Sequence, residues 1–420
     1  MNILLRVSEV ALRRRGWPLV AACVAGLLLP GPGVQAASRA TLASGVVGGI
    51  VSPGAGASTA PAGLPGPRPG CPPQHGVAAP AAEPWAQQAL RFASVWHRTR
   101  GGGVTVAVVD SGVDANPQFG DRVIPGPDLV AGTKPGIPPG ADCVGHGTAV
   151  ASIIAAAPVP GISFTGVAPA ARILSVKISG TDTFPTSAAP QGIMDAVRFG
   201  ADVINLSLAT TDDVPALRHA VEYALRHNVV VVAAAGNDLR TGDTGPFYPA
   251  SYPGVLAVGA AAPGGALASF SDRHTPVAVT APGVNITSAY PGTFPEAYAP
   301  AQSGTSFASA FVAGVVALVR SAHPGLNPAQ VVARIEATAH GPAGPGTGHG
   351  LVDPVRAVTA VLPAESPGGA SAGPGRAGQH TVAVIAGSVG LVVVVVTAVL
   401  AVSAIRRRRI GPSGPGRHAR

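Results

Sequence analysis

The run Val-Ala-Val-Val-Asp-Ser-Gly, residues 106–112, decides the fold. From Val104 to Val109 every residue except Thr105 is apolar, as expected of a strand covered on both faces in a parallel sheet. Working outward, Ala170 to Ile178, Val203 to Leu208, Val229 to Ala235, Val255 to Ala260 and Val277 to Thr280 read as further strands. Between them lie helical stretches at Thr148 to Ala157, Gly192 to Phe199 and Ala216 to His227, and a long helix of small and branched residues runs from Ser306 to Ala322. Strands alternating with helices imply an α/β fold, a parallel sheet with helices on both faces. No internal repeat is present.

The opening strand ends in Asp110, at the carboxyl edge where open α/β sheets place their sites. Two further blocks follow in order. Gly-His-Gly-Thr (145–148) puts His146 at the start of a helix, and Gly-Thr-Ser-Phe-Ala (304–308) does the same for Ser306. Singly, each has a plain structural explanation: an Asp or Ser at such a place is often a helix cap. Jointly they supply the parts of a serine hydrolase. Ser306 would attack a carbonyl, His146 would take and return the proton, and Asp110 would hold the imidazole in one tautomer. Such chemistry also needs an oxyanion donor. Asn237, in Ala-Ala-Ala-Gly-Asn after the Val229 strand, is the candidate side chain, with the Ser306 backbone amide beside it. His219, His227, His274 and His323 lie on helical or loop stretches and read as solvated.

The ends of the chain are not domain material. Residues 1–36 have a basic n-region (Arg13, Arg14, Arg15), an apolar stretch from Pro18 to Leu29, and small residues around Val34-Gln35-Ala36, the pattern of a secretory signal peptide. Residues 37–84 are dominated by Ala, Gly, Pro and Ser, with too little apolar surface to offset ordering entropy, and read as an extended arm rather than a folded pro-domain. A peptidase-sized body is expected over 85–360, and a Pro/Gly/Ser linker over 361–380. The uncharged run Thr381 to Ile405 is long enough for a transmembrane helix, and Arg406 to Arg409 follow it directly. Those arginines put the tail, 406–420, in the cytoplasm and the body outside. The formal charge of +8 follows from this layout. The leader has four arginines and one glutamate and the tail six arginines without an acid, leaving about −1 for everything between. The basic balance therefore gives no support to nucleic-acid binding.

Cys23 lies in the leader; Cys71 and Cys143 remain in a compartment that permits disulfides. Pairing is expected, closing a loop of about 70 residues and stabilising by roughly 3–4 kcal/mol on the loop-entropy model. The alternative is two buried free thiols.

With these blocks in place the chain resembles the subtilases and, within them, the mycosins, membrane-anchored proteases associated with type VII secretion in actinobacteria. Supporting blocks are Asp142 to Thr148, Val167 to Pro169, Gly200 to Leu208, Tyr248 to Ala260 and Gly348 to Pro354. The arm, the Trp85 to Gly103 entry and the single C-terminal span with its arginine stop point to the mycosin branch. The resemblance implies a subtilisin-like fold, a triad of Asp110, His146 and Ser306, Asn237 as oxyanion residue, and Ser207, Leu208 and Ala209 as the strand that pairs with the substrate backbone. Gly often stands where this chain has Ala209, so small or modest side chains are expected just before the cut. Many subtilases bind calcium, but no Asp/Glu cluster is dense enough to supply six to eight oxygens. Asp121 with Asp128, and Asp212 with Asp213, read as solvated loops; neither metal nor cofactor is expected. The function implied is a membrane-tethered, extracytoplasmic serine endopeptidase with protein substrates at a type VII secretion complex. A structural subunit of that complex and a secreted degradative protease are the alternatives.

Overall fold

The computed structural model describes residues 70–71, 76–130, 137–181, 183–237, 245–292 and 296–363. The expected leader, most of the arm, the linker beyond residue 363, the 381–405 run and the tail lie outside them.

Seven parallel strands form the central sheet: β1 (Thr105–Asp110), β2 (Val123–Asp128), β3 (Arg172–Lys177), β4 (Val203–Leu206), β5 (Val230–Ala234), β6 (Leu256–Ala261) and β7 (Val279–Pro282), in the order β2-β3-β1-β4-β5-β6-β7. Side chains alternate across β1. Val106 and Val108 enter one core with α2 (His146–Ala155) and α5 (Thr305–Ala322). Ala107 and Val109 enter the other with α3 (Ala189–Arg198) and α4 (Pro215–Arg226). Both faces are thus covered, and the expected fold class is borne out. Short α1 (Trp85–Leu90) precedes the sheet, and α6 (Pro328–Thr338) and α7 (Pro354–Thr359) follow α5. Among the described residues one helix, α5, is long and apolar enough to cross a membrane by length and composition. It is the core helix, 83% buried.

Several expectations change. β2 was not anticipated: its Val-Ile-Pro-Gly-Pro-Asp sequence reads as a turn. Proline lacks the N–H that a ladder uses, and the strand is accommodated only at the sheet edge, with a register shift between Pro125 and Asp128. The antiparallel pair β8 (Ile286–Ala289) and β9 (Tyr298–Gln302) was also missed. Asp128 is not a solvated loop residue. It ends β2, its carboxylate accepts the N–H groups of Val130 and Gly140, and buried Lys177 stands 3.9 Å away. His323 is half-buried, its Nε2 2.9 Å from the Val358 carbonyl oxygen. His219, His227 and His274 are exposed.

Among the described residues the arm is tied to the body at several points, one of them the bond from the Ser163 hydroxyl to the Ala81 carbonyl at 2.9 Å. Cys71 and Cys143 form a disulfide spanning 72 residues of sequence. Val77 then bridges Tyr298 of β9, donating to its carbonyl at 2.7 Å. Gln118, 1% exposed, fastens the loop after α2, its Nε2 donating to the Ala157 and Phe164 carbonyls at 2.8 Å each. The buried Tyr298 hydroxyl donates to Gln118 Oε1 at 2.8 Å, and desolvation pushes its pKa up to about 12.

Candidate active site

Asp110 is the last residue of β1 and fully buried; His146 is the first residue of α2. The His146 Nδ1 lies 2.8 Å from Asp110 Oδ1 and 3.0 Å from Oδ2. A carboxylate only accepts, so Nδ1 carries the proton and Nε2 is the nitrogen that can act as base. The phenyl rings of Phe184 and Phe307 flank the imidazole, with centroids at 5.4 and 5.6 Å.

What holds the two residues in register was not foreseen. The N-terminal amides of α2 have no cap from the preceding residue, Gly145. They are met instead by Ser111, which follows β1, and by Asp142, just upstream of the helix. Ser111 Oγ accepts the Gly147 N–H at 2.9 Å. Asp142, 1% exposed, accepts the Thr148 N–H at 2.8 Å and the Thr148 hydroxyl at 2.7 Å on Oδ2. Its Oδ1 accepts Ser111 Oγ (2.8 Å), Gly145 N (2.7 Å) and Val144 N (3.1 Å). Because the Ser111 N–H also donates to Asp110 Oδ1 at 2.7 Å, one hydrogen-bonded web joins the end of β1 to the start of α2. Asp142 lies in the 142–148 block, and its spacing from Thr148 is the sequence signal that could have found this cap. Gly147 is needed for the close approach: a Cβ there would stand 2.0 Å from the Gly112 carbonyl oxygen.

Ser306 is in the first turn of α5, and its Oγ donates to the Ser207 carbonyl at 3.2 Å. Asn237 follows β5. Its Oδ1 accepts the Thr305 N–H at 3.0 Å and the Thr305 hydroxyl at 3.1 Å, which fixes the carboxamide so that Nδ2 is the end able to donate to a developing oxyanion. His146, Ser306, Asn237 and the segment Ser207–Ala209 line a single cleft of about 940 Å³. The ladder stops at Leu206, so Ser207, Leu208 and Ala209 continue β4 without a sheet partner on that ladder. Ala234, Phe247 and Phe270 line the same cleft, and the Phe247 ring packs on Gly236, where a Cβ would meet it at 2.5 Å. Among the described residues no group of three or more His, Cys, Asp or Glu is arranged to hold a metal ion.

The subtilase family model matches residues 101–366. Mycosin-3 of Mycobacterium tuberculosis is 36% identical over 346 residues, covering 68% of this chain and 74% of that protein. Subtilisin E of Bacillus subtilis is 41% identical over 246 residues, covering 57% of this chain and 61% of that one. Among solved structures, the serine protease MycP1, described as an essential component of the type VII (ESX-1) secretion system, superposes with a TM-score of 0.58 at 34% identity, over 71% of this chain and 96% of that one.

Proposed function

The chain belongs to the subtilase family, on its mycosin branch, and is a serine endopeptidase; we propose that Asp110, His146 and Ser306 are its triad and Asn237 its oxyanion residue. The observation that carries this reading is the His146 Nδ1 contact of 2.8 Å with the buried Asp110 carboxylate, in the cleft that also holds Ser306 and the oriented Asn237 carboxamide. Ser306 Oγ attacks the scissile carbonyl as His146 Nε2 takes its proton. The oxyanion forms against Asn237 Nδ2 and the Ser306 amide at the start of α5, where the helix also favours negative charge. His146 then returns the proton to the leaving amine, and water hydrolyses the acyl-enzyme by the same route.

The substrate backbone adds to Ser207, Leu208 and Ala209 as an extra strand. Ala209, Ala234 and Phe247 line the cleft beside that strand, which supports small side chains just before the cut. A peptide library cleaved best after Phe or Arg would overturn that preference. On the domain plan read from the sequence, signal 1–36, arm 37–84, body 85–360, linker 361–380, span 381–405 and tail 406–420, the proposed protease works outside the membrane with its tail in the cytoplasm. Tethering raises the effective concentration at neighbouring substrates and suits selective trimming of proteins at a type VII secretion machine.

Labelling of the full chain by a fluorophosphonate, abolished in Ser306→Ala and in His146→Ala, tests the triad; undiminished labelling of either variant refutes it. The MycP1 description as an essential component favours a second role, in which the chain stabilises the secretion complex. Secretion retained in Ser306→Ala cells but lost on deletion supports that role; secretion lost in both leaves proteolysis as the requirement.

A further inference from the structure

Asn237 is held by Thr305 from the front. Its backbone is held from behind by a turn that the proposed mechanism does not use. Gly236 turns the chain with φ +105°, and the carbonyls of Ala235 and of Gly236 itself are both clamped. The Thr275 hydroxyl donates to the Ala235 carbonyl at 3.0 Å, and the Asp272 N–H donates to the Gly236 carbonyl at 3.1 Å. The Thr275 hydroxyl also accepts the Phe247 N–H at 2.9 Å, so the same atom joins the segment before Asn237 to a residue that lines the cleft.

The turn owes its shape to one carboxylate. Asp272 is fully buried, and its oxygens accept the Thr275 N–H at 2.5 Å and the His274 N–H at 3.2 Å; His274 Nδ1 lies 3.0 Å away. Burial alone would raise its pKa, but hydrogen bonds from Thr275 and His274 outweigh that and hold the carboxyl below its ordinary value. Ser271, also fully buried, ties the start of the turn to β6 by accepting the Ala260 N–H at 3.0 Å. A buried charge kept at this cost rigidifies its surroundings only when its acceptor sites are met, as they are here.

We infer that Asp272 is a positioning residue for the oxyanion hole: its carboxylate locks the Asp272–Thr275 turn against Ala235–Gly236 and thereby sets where the Asn237 carboxamide meets the reacting oxygen. It touches no substrate, and the inference rests on Asn237 being the oxyanion donor. A carboxamide in place of the Asp272 carboxylate keeps the volume but turns a donor toward donors. The turn relaxes, and Asn237 shifts by a fraction of an ångström, enough to weaken a bond that must form in the transition state.

The test is a double-mutant cycle on the full chain in detergent, with fluorophosphonate acylation of Ser306 resolved into its maximal rate and its half-saturating concentration. Asp272→Asn should lower the maximal rate about tenfold, against the ~10²–10³ expected for outright loss of a donor in Asn237→Ala, and leave half-saturation within twofold. In the Asn237→Ala background the same substitution should cost less than twofold, because nothing remains to be positioned. His274→Ala, which leaves the backbone donors in place, should change the rate less than twofold. An equal loss in both backgrounds overturns the inference, as does an unchanged rate for Asp272→Asn while Asn237→Ala is slow. Wild-type speed in Asn237→Ala overturns the oxyanion assignment itself and the inference with it. If Asp272→Asn does not fold, Thr275→Val breaks the clamp at its other end, and the same cycle applies.

Discussion

The clearest consequence of the web between β1 and α2 concerns Asp142→Asn. The side chain is 1% exposed and accepts five hydrogen bonds, three on Oδ1 and two on Oδ2. With three donors converging on Oδ1, an asparagine places its carbonyl oxygen there and its amide toward Thr148. The amide then faces the Thr148 N–H across 2.8 Å, donor against donor. The Thr148 hydroxyl can rotate to accept, although it already accepts the Asp114 N–H at 2.9 Å. The net loss is one buried N–H left without an acceptor, about 1–3 kcal/mol, together with weaker bonds to a neutral oxygen on the other side. At roughly 2–4 °C per kcal/mol for a body of this size, a loss of about 2 kcal/mol lowers Tm by roughly 4–8 °C. Since Thr148 is two residues from His146, the helix start should loosen and fluorophosphonate labelling should slow by about tenfold. Asp121→Asn, on the exposed surface, is the control and should shift Tm by under about 2 °C. Differential scanning fluorimetry with labelling kinetics reads both effects. A Tm within 1 °C of wild type and an unchanged labelling rate would show that this carboxylate does not fix the helix start, and the account of how His146 is placed would fall.

Other perturbations follow from the same geometry. Cys71→Ser opens a loop of 72 residues and should destabilise by up to about 4 kcal/mol, measured as a Tm drop that is absent when wild type is already reduced. Phe247→Ala widens the cleft and, on the proposed substrate register, should raise kcat/KM for peptides with Leu or Phe before the cut by tenfold or more relative to Ala peptides, read in a mixed-peptide competition assay. Asp272, with its pKa below the ordinary value, contributes stability that is fully present above about pH 4 and is lost as pH falls through its folded value. The Tm gap between wild type and Asp272→Asn should accordingly be constant from pH 7 to 5 and shrink below pH 4.

Six of the seven sheet strands could be read directly, because a strand buried on both faces is a largely apolar run, unbroken in Val230–Ala234 and broken once, by Asn205, in Val203–Leu206. β2 escaped because Pro125, Gly126 and Pro127 carry the composition of a turn, and only pairing with β3 makes them a strand. β8 and β9 escaped because Ile-Thr-Ser-Ala and Tyr-Ala-Pro-Ala-Gln are too short and mixed to show a period. At the site the difference is one of range. Asp110, His146, Ser306 and Asn237 announce themselves through glycine-flanked blocks at element ends. Their supports do not: Ser111 meets Asp142 across 31 residues and Thr275 meets Ala235 across 40. A Ser, Thr or Asp read locally is a cap for its own neighbours. Only the fold shows that these two hydroxyls, Ser111 and Thr275, also serve backbone far away in sequence.

The position of the cleft then follows from topology. The chain builds β2 and β3 on one side of β1, then crosses to add β4, β5, β6 and β7 on the other. At β1 the connections diverge, and an open crevice forms beyond the carboxyl ends of the strands on either side. Asp110 ends β1, Ser207 follows β4 and Asn237 follows β5, so three of the groups the proposed chemistry uses are delivered to that crevice by strands that neighbour one another. His146 and Ser306 come from the opposite kind of boundary, the starts of α2 and α5, helices on the same face of the sheet. Helix starts have unsatisfied amides, and both are met here by polar side chains from the strand ends: Ser111 for Gly147, Asn237 for Thr305. The bonds that cap the two helices are therefore the bonds that set the distances between the proposed reacting groups. A substitution that frays either helix start should cost activity before it costs the fold, because the helices retain their packing in the core while the few ångströms that matter for proton transfer are lost.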